Sequence, residues 1–283
     1  MAGLPTAEVH HFTYGLITPA LAYTLSVLGS LLGLTCTARA RKLEPGARRG
    51  GWLLLAAWAI GGTGIWTMHF MAMLGFGVRG SAVRYDIPIT VASAVIAVGV
   101  VGIGLFIVGL GKATAPRVLF GGLFTGLGVA SMHYTGMAAV RVDGHITHGR
   151  DLVIASVVIA VVAATVALWF TVVVTKPGVI FASALLMGVA VCGMHYTAMA
   201  AVAVQERSPA IQLHGATAGT LLIPIIVLVV LVVIMLFYAL LSVPKEEDAA
   251  ARAFLERQHA DRLAAERAAT AAPAMGARRT RLR

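Results

Sequence analysis

Seven long apolar runs, none containing Asp, Glu, Lys or Arg, limit the folds open to this chain more than any other feature of its sequence. They lie approximately at 12–36, 52–76, 87–110, 118–140, 152–174, 178–204 and 216–241. Each is long enough to cross the roughly 30 Å hydrocarbon core of a bilayer as an α-helix, and a helix satisfies its own backbone hydrogen bonds within lipid. The sequence therefore predicts an all-α fold, a polytopic membrane bundle of seven transmembrane helices.

The composition agrees with a membrane protein. Hydrophobic residues make up 59% of the chain and charged residues 12%, whereas soluble domains average roughly 45–50% and about 25%. The net charge of +10 would suggest nucleic acid as the partner of a soluble protein. Here the cations flank the apolar runs, so we expect the partner to be the lipid bilayer and not nucleic acid.

The distribution of lysine and arginine predicts which end of the bundle faces the cytoplasm. The connections after the first, third and fifth runs hold eight, the opposite connections hold five, and the tail holds nine. The positive-inside rule places the first group and the tail in the cytoplasm. We therefore expect a protein of the cell membrane with an extracytoplasmic N-terminal leader (1–11, without a signal peptide), a membrane domain (12–241) and a partly helical cytoplasmic tail (242–283).

A twelve-residue motif is repeated in the second, fourth and sixth runs. Its copies, each containing a Met-His pair, are Gly62–Met73, Gly126–Met137 and Gly188–Met199. The copies are 64 and 62 residues apart, so each repeat contains two runs, the seventh run lies outside the pattern, and the motif helices share one direction. The histidines lie seven to nine residues before the outer ends of their runs, which predicts one depth of roughly 10–14 Å below the outer surface.

The motif places metal-binding side chains on one helical face, because a methionine follows each histidine by four residues. A second methionine directly precedes each histidine. The predicted metal ligands are His69, His133, His195, Met68, Met132, Met194, Met73, Met137 and Met199. Imidazole suits copper, zinc and iron, thioether selects Cu(I), and the carboxylates that hard cations prefer are absent from these runs. Copper is the expected cofactor, with haem as the alternative, because His and Met are both axial haem ligands.

Other interpretations of these residues stay open at this point. A membrane histidine commonly hydrogen-bonds to a neighbouring helix, and methionines commonly fill space in a core. Cys192, three residues before His195, could join the site, although an inert buried thiol is the simpler interpretation. Tyr134 and Tyr196 are expected to pack or to hydrogen-bond near the site. A weaker hypothesis assigns metal collection to histidines on the outer side, namely His10, His11, His145 and His148.

The motif copies resemble the MHYT domain family, which is named for this tetrapeptide. The residues that carry the resemblance are Met132-His133-Tyr134-Thr135 and Met194-His195-Tyr196-Thr197, with Met68-His69-Phe70-Met71 as a divergent first copy. The resemblance covers roughly residues 12–241. It implies a bacterial membrane sensor module whose Met and His residues bind copper and through it sense O2, CO or NO. The resemblance implies this role directly for the Met and His of the three Met-His pairs. It implies the role more loosely for the three methionines that follow four residues after each histidine.

Two departures from the family pattern bear on function. The first copy lacks the Tyr and Thr, so those residues cannot be essential in every copy. Many relatives carry a cytoplasmic cyclic-di-GMP or kinase output domain, whereas residues 242–283 are too few for an enzyme domain. From Lys245 to about Ala269 a helix is favoured, and the arginine-rich end after Pro273 would either touch anionic lipid or be disordered. We expect a separate cytoplasmic partner to supply the output.

The sequence therefore favours a metal-dependent sensor of a diatomic gas or of redox state, and not an enzyme. The alternatives are a copper carrier and an assembly factor for respiratory enzymes. The inner halves of the motif helices, at 118–124 and 179–182, contain no ligand or ionisable group, which disfavours transport. No run contains lysine, which excludes a retinal Schiff base, and no run contains a carboxylate that would support a proton pump or an acid–base enzyme.

Overall fold

The computed structural model describes residues 6–111, 113–206, 213–241 and 246–271. Seven of its helices are long and apolar enough to cross a membrane. They are α1 (Ile17–Ala40), α2 (Ala47–Met73), α3 (Ile87–Gly109), α4 (Ala115–Ala138), α5 (Arg150–Val173), α6 (Pro177–Met199) and α7 (Ala218–Leu241). The predicted polytopic all-α bundle of seven spans is confirmed.

The chain divides into two compact units, Met1–Ala239 and Leu240–Arg283. In the second unit, helix α8 (Glu246–Ala271) covers the tail segment for which the composition favours a helix. The arginine-rich end after Pro273 lies outside the described residues.

Several helix boundaries differ from those expected. The first span runs from Ile17 to Ala40 instead of 12–36, the second starts at Ala47 instead of 52, and the sixth helix ends at Met199 instead of continuing to 204. Residues of the expected sixth span leave the helix because Val202–Glu206 forms a β-strand.

Helix α3 begins with a side-chain cap. The Asp86 side chain accepts a hydrogen bond from the Ile89 backbone N–H at 3.2 Å, and a proline stands in the first turn, as is common at the start of a helix.

Helices α1 to α6 form a closed ring in which each contacts the next along the chain and α6 returns to α1. Small residues allow close approach between the helices. A Cβ atom built on Gly61 of α2 would lie 2.7 Å from the Ala97 carbonyl oxygen of α3, and one built on Gly126 of α4 would lie 2.8 Å from the Ala160 carbonyl oxygen of α5. Helix α7 lies outside the ring against α2 and α3, with which it lines a shared groove.

Helix α2 is interrupted by a π-helical segment, Trp58–Thr67, between α-helical parts. Such segments are usually a single turn and often mark functional sites. The Thr67 hydroxyl donates to the Gly62 carbonyl oxygen five residues earlier, at 3.0 Å. Every residue from Ala59 to Thr67 is buried. Because a π turn holds more residues than an α turn, this segment changes the rotation of Met68 and His69, which follow it directly.

Short antiparallel strands join the connections at one end of the bundle, an arrangement that the sequence analysis did not predict. The strands are β1 (Thr6–Ala7), β2 (Val9–His10), β3 (Gly77–Val78), β4 (Arg84–Tyr85), β5 (Val140–Arg141), β6 (Gly144–His148) and β7 (Val202–Glu206). One sheet has the order β1-β7-β6, and β2-β3 and β4-β5 form two further pairs. In the larger sheet, Gln205 of β7 pairs with Thr6 on one side and with His145 on the other.

These strands, which we call the β cap, come from the N-terminal segment and from the connections after α2, α4 and α6. Their pairing requires all four segments to lie at the same end of the bundle. This is the arrangement expected when every helix crosses the membrane once.

Candidate metal centre

The three motif histidines meet at the centre of the ring, beneath the β cap. Each stands in the last turns of its helix, His69 on α2, His133 on α4 and His195 on α6. The ring centroids are 4.9, 5.0 and 5.2 Å apart, and each pair of rings is nearly perpendicular, at 77–80°. The exposed fractions of the three residues are 1%, 0% and 1%. Residues 126 positions apart in sequence are thus brought into one closed group.

The histidines are nearer to the ends of their helices than the apolar runs suggested. They precede the last helical residue by four residues in α2, five in α4 and four in α6, which is about 6–8 Å along the helix axis. These distances are shorter than the seven to nine residues to the ends of the apolar runs, because the last apolar residues of each run leave the helix. The depth of roughly 10–14 Å below the outer surface stays a prediction. The three copies lie at one level of the bundle, as the sequence predicts.

Hydrogen bonding leaves much of this group unpaired. The Nδ1 atoms of His69 and His195 lie 3.1 Å apart, so one of them donates a proton and the other accepts it. Among the described residues, Nε2 of His69 and both ring nitrogens of His133 are buried without a partner. Buried polar atoms are normally paired, and each unpaired one costs about 1–3 kcal/mol. The cluster therefore offers unused nitrogen atoms at its centre.

The separation of the nitrogen atoms is close to that of a metal site. One nitrogen from each histidine can be chosen so that all three lie within 4.8 Å of one another. Imidazole nitrogens bound to one metal at about 2.0–2.1 Å lie at most about 4 Å apart. Small rotations of the rings would close this difference, so the three residues fit a metal ion.

A glycine on α4 makes room for one of these rings. A Cβ atom built on Gly136 would lie 2.6 Å from Nε2 of His69, closer than real contacts allow. The other copies have Ala72 and Ala198 at this motif position. Sequence reasoning missed Gly136, although the alignment of the three copies contained the signal, a single glycine where the other two have alanine.

All six methionines that the sequence predicts as metal ligands are buried. Met73, Met132, Met137, Met194 and Met199 belong to the main apolar core, whereas Met68 packs in a smaller cluster with Ala22 and Ala72. Cys192 is a free, half-buried thiol beside that smaller cluster and is not part of the histidine group. Metal ligation by the methionines and by the histidines stays a prediction.

The aromatic residue after each histidine packs edge-on against its imidazole. The centroid distances are 4.7 Å for His69–Phe70, 5.0 Å for His133–Tyr134 and 4.9 Å for His195–Tyr196. Because this contact needs only a ring, it explains how Phe70 replaces tyrosine in the first copy. The Tyr134 hydroxyl also hydrogen-bonds to the Ser156 hydroxyl of α5 at 2.7 Å, which confirms the packing and hydrogen-bonding role expected for this residue.

Two of the outer histidines lie next to the buried group. His148 of β6 has its ring 5.7 Å from Tyr134 and is close enough to His133 to interact electrostatically. His11, whose Nδ1 is buried without a described partner, is similarly near His195. Burial lowers the pKa of both His11 and His148. His10, in contrast, is exposed and lies 3.6 Å from Glu8.

Comparison with known proteins places this geometry in a family. The sequence model of the MHYT family, described as a bacterial signalling protein N-terminal repeat, matches residues 62–121, 126–184 and 188–255. Each matched segment begins on a motif helix and continues through the helix that follows.

Several curated relatives are signalling proteins. The chain is 35% identical over 198 residues to the bifunctional diguanylate cyclase/cyclic di-GMP phosphodiesterase MucR of Pseudomonas aeruginosa, covering 67% of this chain and 28% of MucR. It is 34% identical over 202 residues to the cyclic di-GMP phosphodiesterase NbdA of the same species, covering 67% of this chain and 24% of NbdA. It is 31% identical over 199 residues to the signalling protein YkoW of Bacillus subtilis, covering 68% and 24%.

The chain thus spans about a quarter of the length of these relatives. No solved structure is similar to it at a significant level. Three matched repeats over most of the chain, on seven membrane-spanning helices, establish that this multi-pass membrane protein belongs to the MHYT family of bacterial signalling proteins.

Proposed function

We propose that this protein is a membrane sensor in which His69, His133 and His195, together with motif methionines, hold a copper ion and thereby sense a diatomic gas (O2, CO or NO) or redox state. The observation that carries the proposal is the group of three fully buried imidazoles in which three ring nitrogens have no described partner. Bound copper would supply a redox-active centre that can take a gas molecule as a further ligand.

The ligand set favours a soft ion of low charge. The histidine group contains no carboxylate among the described residues, and burying an uncompensated charge becomes more costly as the charge rises. Neutral imidazole and thioether ligands suit Cu(I). Haem fits less well, because a porphyrin lies between its two axial ligands and rings 4.9–5.2 Å apart leave no room for it.

An apolar cavity between the helices that carry the histidines supports a gas as the signal. It has a volume of about 50 Å³ and is lined mainly by aliphatic side chains of α2 to α6, with Met194, the neighbour of His195, among them. Small apolar cavities stay dry and take up apolar molecules. Ala163, Met187 and Ala190 line both this cavity and a groove between α5 and α6, so a gas dissolved in the bilayer would have a short route to the centre.

The same cavity argues against a copper carrier. A path for an ion through the membrane needs polar or ligating groups along its length. On the inner side of the histidines the cavity walls offer aliphatic residues and the hydroxyls of Thr125 and Thr171. An ion leaving the cluster inward would therefore lose its ligands.

The proposal also includes the orientation of the protein in the membrane and the output of its signal. The positive-inside rule places the β cap and N-terminus outside the cytoplasm and the tail inside. The printed names of MucR and NbdA describe enzymes of cyclic di-GMP metabolism, so we propose that the signal reaches an output of that class in the cytoplasm. In this proposal the described membrane unit is itself not catalytic.

The test measures metal in the full chain purified in a neutral detergent. Elemental analysis compares the wild type with the His69→Ala/His133→Ala/His195→Ala variant, and circular dichroism verifies that both are helical. The matched control removes three exposed histidines instead, in the variant His10→Ala/His145→Ala/His214→Ala. We expect copper in the wild type and the control and its loss in the cluster variant.

Equal metal content in the wild type and the cluster variant would contradict the proposal. Optical spectra of the same samples distinguish copper from haem. Exposure of the reduced protein to CO then tests whether the centre binds a gas. We expect a spectral change in the wild type that is absent from the cluster variant.

A further inference from the structure

The end of the bundle opposite the β cap, called here the inner end, contains a second cavity with a different chemistry. It has a volume of about 100 Å³ and lies between the last turns of α1, α3 and α5 and the first turns of α2. Most of its wall is apolar. Its polar side chains are Thr37, Arg41, Arg49 and Thr171.

The two arginines bring unpaired donors into this cavity. Among the described residues, one terminal nitrogen of Arg41 and Nε of Arg49 are buried without a hydrogen-bond partner. The other terminal nitrogen of Arg41 donates to the Val174 carbonyl oxygen. Burial lowers the pKa of Arg41, which reflects the cost of holding its charge away from water. Neither arginine forms an ion pair with a carboxylate in the part of the chain that the structure describes.

The two threonines do not supply a counter-charge or a free proton. The Thr37 hydroxyl donates to the Leu34 carbonyl oxygen at 3.0 Å, and the Thr171 hydroxyl donates to the Leu168 carbonyl oxygen at 2.6 Å. The unused hydrogen-bonding groups of the cavity are therefore cationic N–H donors. Such donors bind an acceptor that carries negative charge.

A third guanidinium group stands at the rim of the cavity. Gly111 lines the cavity, and a Cβ atom built on it would overlap the Arg117 guanidinium group. Arg41 and Arg49 thus line one small space, and Arg117 adds a third positive charge beside its lining residue Gly111. Arginine is the residue best suited to phosphate, because its planar fork matches two phosphate oxygens at once.

We propose that this inner cavity is a binding site for a phosphate group, held by Arg41 and Arg49, with Arg117 at its rim. The group is carried by the headgroup of an anionic phospholipid or is free in solution. The position at the helix ends fits a headgroup, since basic pockets between membrane helices bind anionic lipids at this level. The site is separate from the histidine group, which lies at the other end of the same helices.

The experiment uses the full chain in a neutral detergent and two double variants. The cavity variant is Arg41→Gln/Arg49→Gln. The control variant, Lys42→Gln/Arg48→Gln, removes the same charge from the neighbouring residues, which are exposed. Phosphatidylglycerol, phosphatidylcholine or inorganic phosphate is added, native mass spectrometry counts retained lipid, and thermal unfolding reports stabilisation.

We expect phosphatidylglycerol, and not phosphatidylcholine, to stay bound and to raise the melting temperature of the wild type and the control. Loss of the charge-assisted hydrogen bonds should weaken binding to the cavity variant by about tenfold or more. Stabilisation by millimolar inorganic phosphate, with no further gain from the lipid, identifies free phosphate as the ligand and supports the site equally.

An equal response of both double variants would overturn the proposal, since it would mean that the lipid senses only the overall surface charge. If the double variant does not fold, Arg49→Gln and Arg49→Lys replace it. Nε of Arg49 has no partner in the described structure, so its removal should leave the unliganded fold intact. Lysine keeps the charge but not the planar fork. We therefore expect Arg49→Lys to bind the lipid more strongly than Arg49→Gln and more weakly than the wild type.

Discussion

The two ends of the bundle hold unpaired nitrogen atoms of opposite character. Beneath the β cap, buried imidazoles present ring nitrogens without described partners, whereas at the inner end arginines present N–H donors without described acceptors. A lone pair binds an electron-poor ion, and a cationic donor binds an anion. The kind of unsatisfied atom, more than the burial or the size of the cavity, therefore indicates which ligand each end suits.

The largest effect is expected at the histidine group. His133 has both ring nitrogens unpaired, so His133→Ala removes a ligand without breaking any described hydrogen bond. Changes to residues around metal ligands already cost about 10–100-fold in metal affinity, so loss of a ligand should weaken copper binding by more than that. Isothermal titration with Cu(I) measures the affinity, with His145→Ala as the control.

The same variant also tests whether the two ends are independent. His133→Ala should leave phosphatidylglycerol retention unchanged, and the Arg49→Gln variant should leave copper affinity unchanged, because distant sites without shared partners act additively. If a substitution at one end changes the affinity for the ligand at the other end, the two sites are not independent.

A moderate effect is expected from the glycine that admits the His69 ring. Gly136→Ala places a methyl group 2.6 Å from Nε2 of His69, so the ring must move. Overpacking of this kind costs about 1–3 kcal/mol in stability, and the displaced ring should bind copper more weakly. Thermal unfolding and copper titration measure both effects. Gly178→Ala, where a Cβ atom would meet nothing within 4 Å, should change neither, and unaltered copper binding in Gly136→Ala would argue against His69 as a ligand.

A smaller effect concerns the route of the gas. Ala190 lines both the central cavity and the groove between α5 and α6. Ala190→Leu should fill the connection and slow the binding of CO several-fold, with copper content unchanged. Stopped-flow absorbance gives the rate, and Ala182→Leu on the exposed face of the same helix is the control. Equal rates in the two variants would indicate that the gas reaches the centre from the capped end.

The smallest effect is expected in the β cap. The Ile89 backbone N–H and then the Arg141 guanidinium group lower the pKa of Asp86. A carboxylate whose pKa is lowered in the folded state stabilises it above the ordinary value of 3.8, and this stabilisation is lost as the pH falls below that value. Asp86→Asn should slightly lower the melting temperature at neutral pH and reduce its fall below pH 4. Identical acid profiles of Asp86→Asn and the wild type would contradict this account.

Several features of the candidate site were predictable because they depend on local sequence. Helix period alone places each histidine and the methionine four residues later on one face. The spacing of the copies gives the three helices one direction and their histidines one depth. The distance from each histidine to the end of its helix was overestimated, because an apolar run does not reveal where a helix ends and a strand begins.

Other features depended on contacts between distant segments. Nothing in the motif fixes the rotation of each helix about its axis, which in α2 includes a ten-residue π segment. The pairing of residues 6–7 with 204–205 in the β cap is of the same kind. The sequence predicts Arg41 and Arg49 only as cations of a cytoplasmic loop. The packing of α1, α2, α3 and α5 encloses them.

The seven crossings, and the placing of three imidazoles at one level of the bundle, follow from the amino-acid sequence, because hydrophobic length and helical period are properties of each segment alone. The meeting of the three rings at one point and the burial of the inner arginines follow from the packing of the helices. Both depend on how neighbouring helices rotate about their axes and pack. Contacts between side chains far apart in the sequence determine that packing.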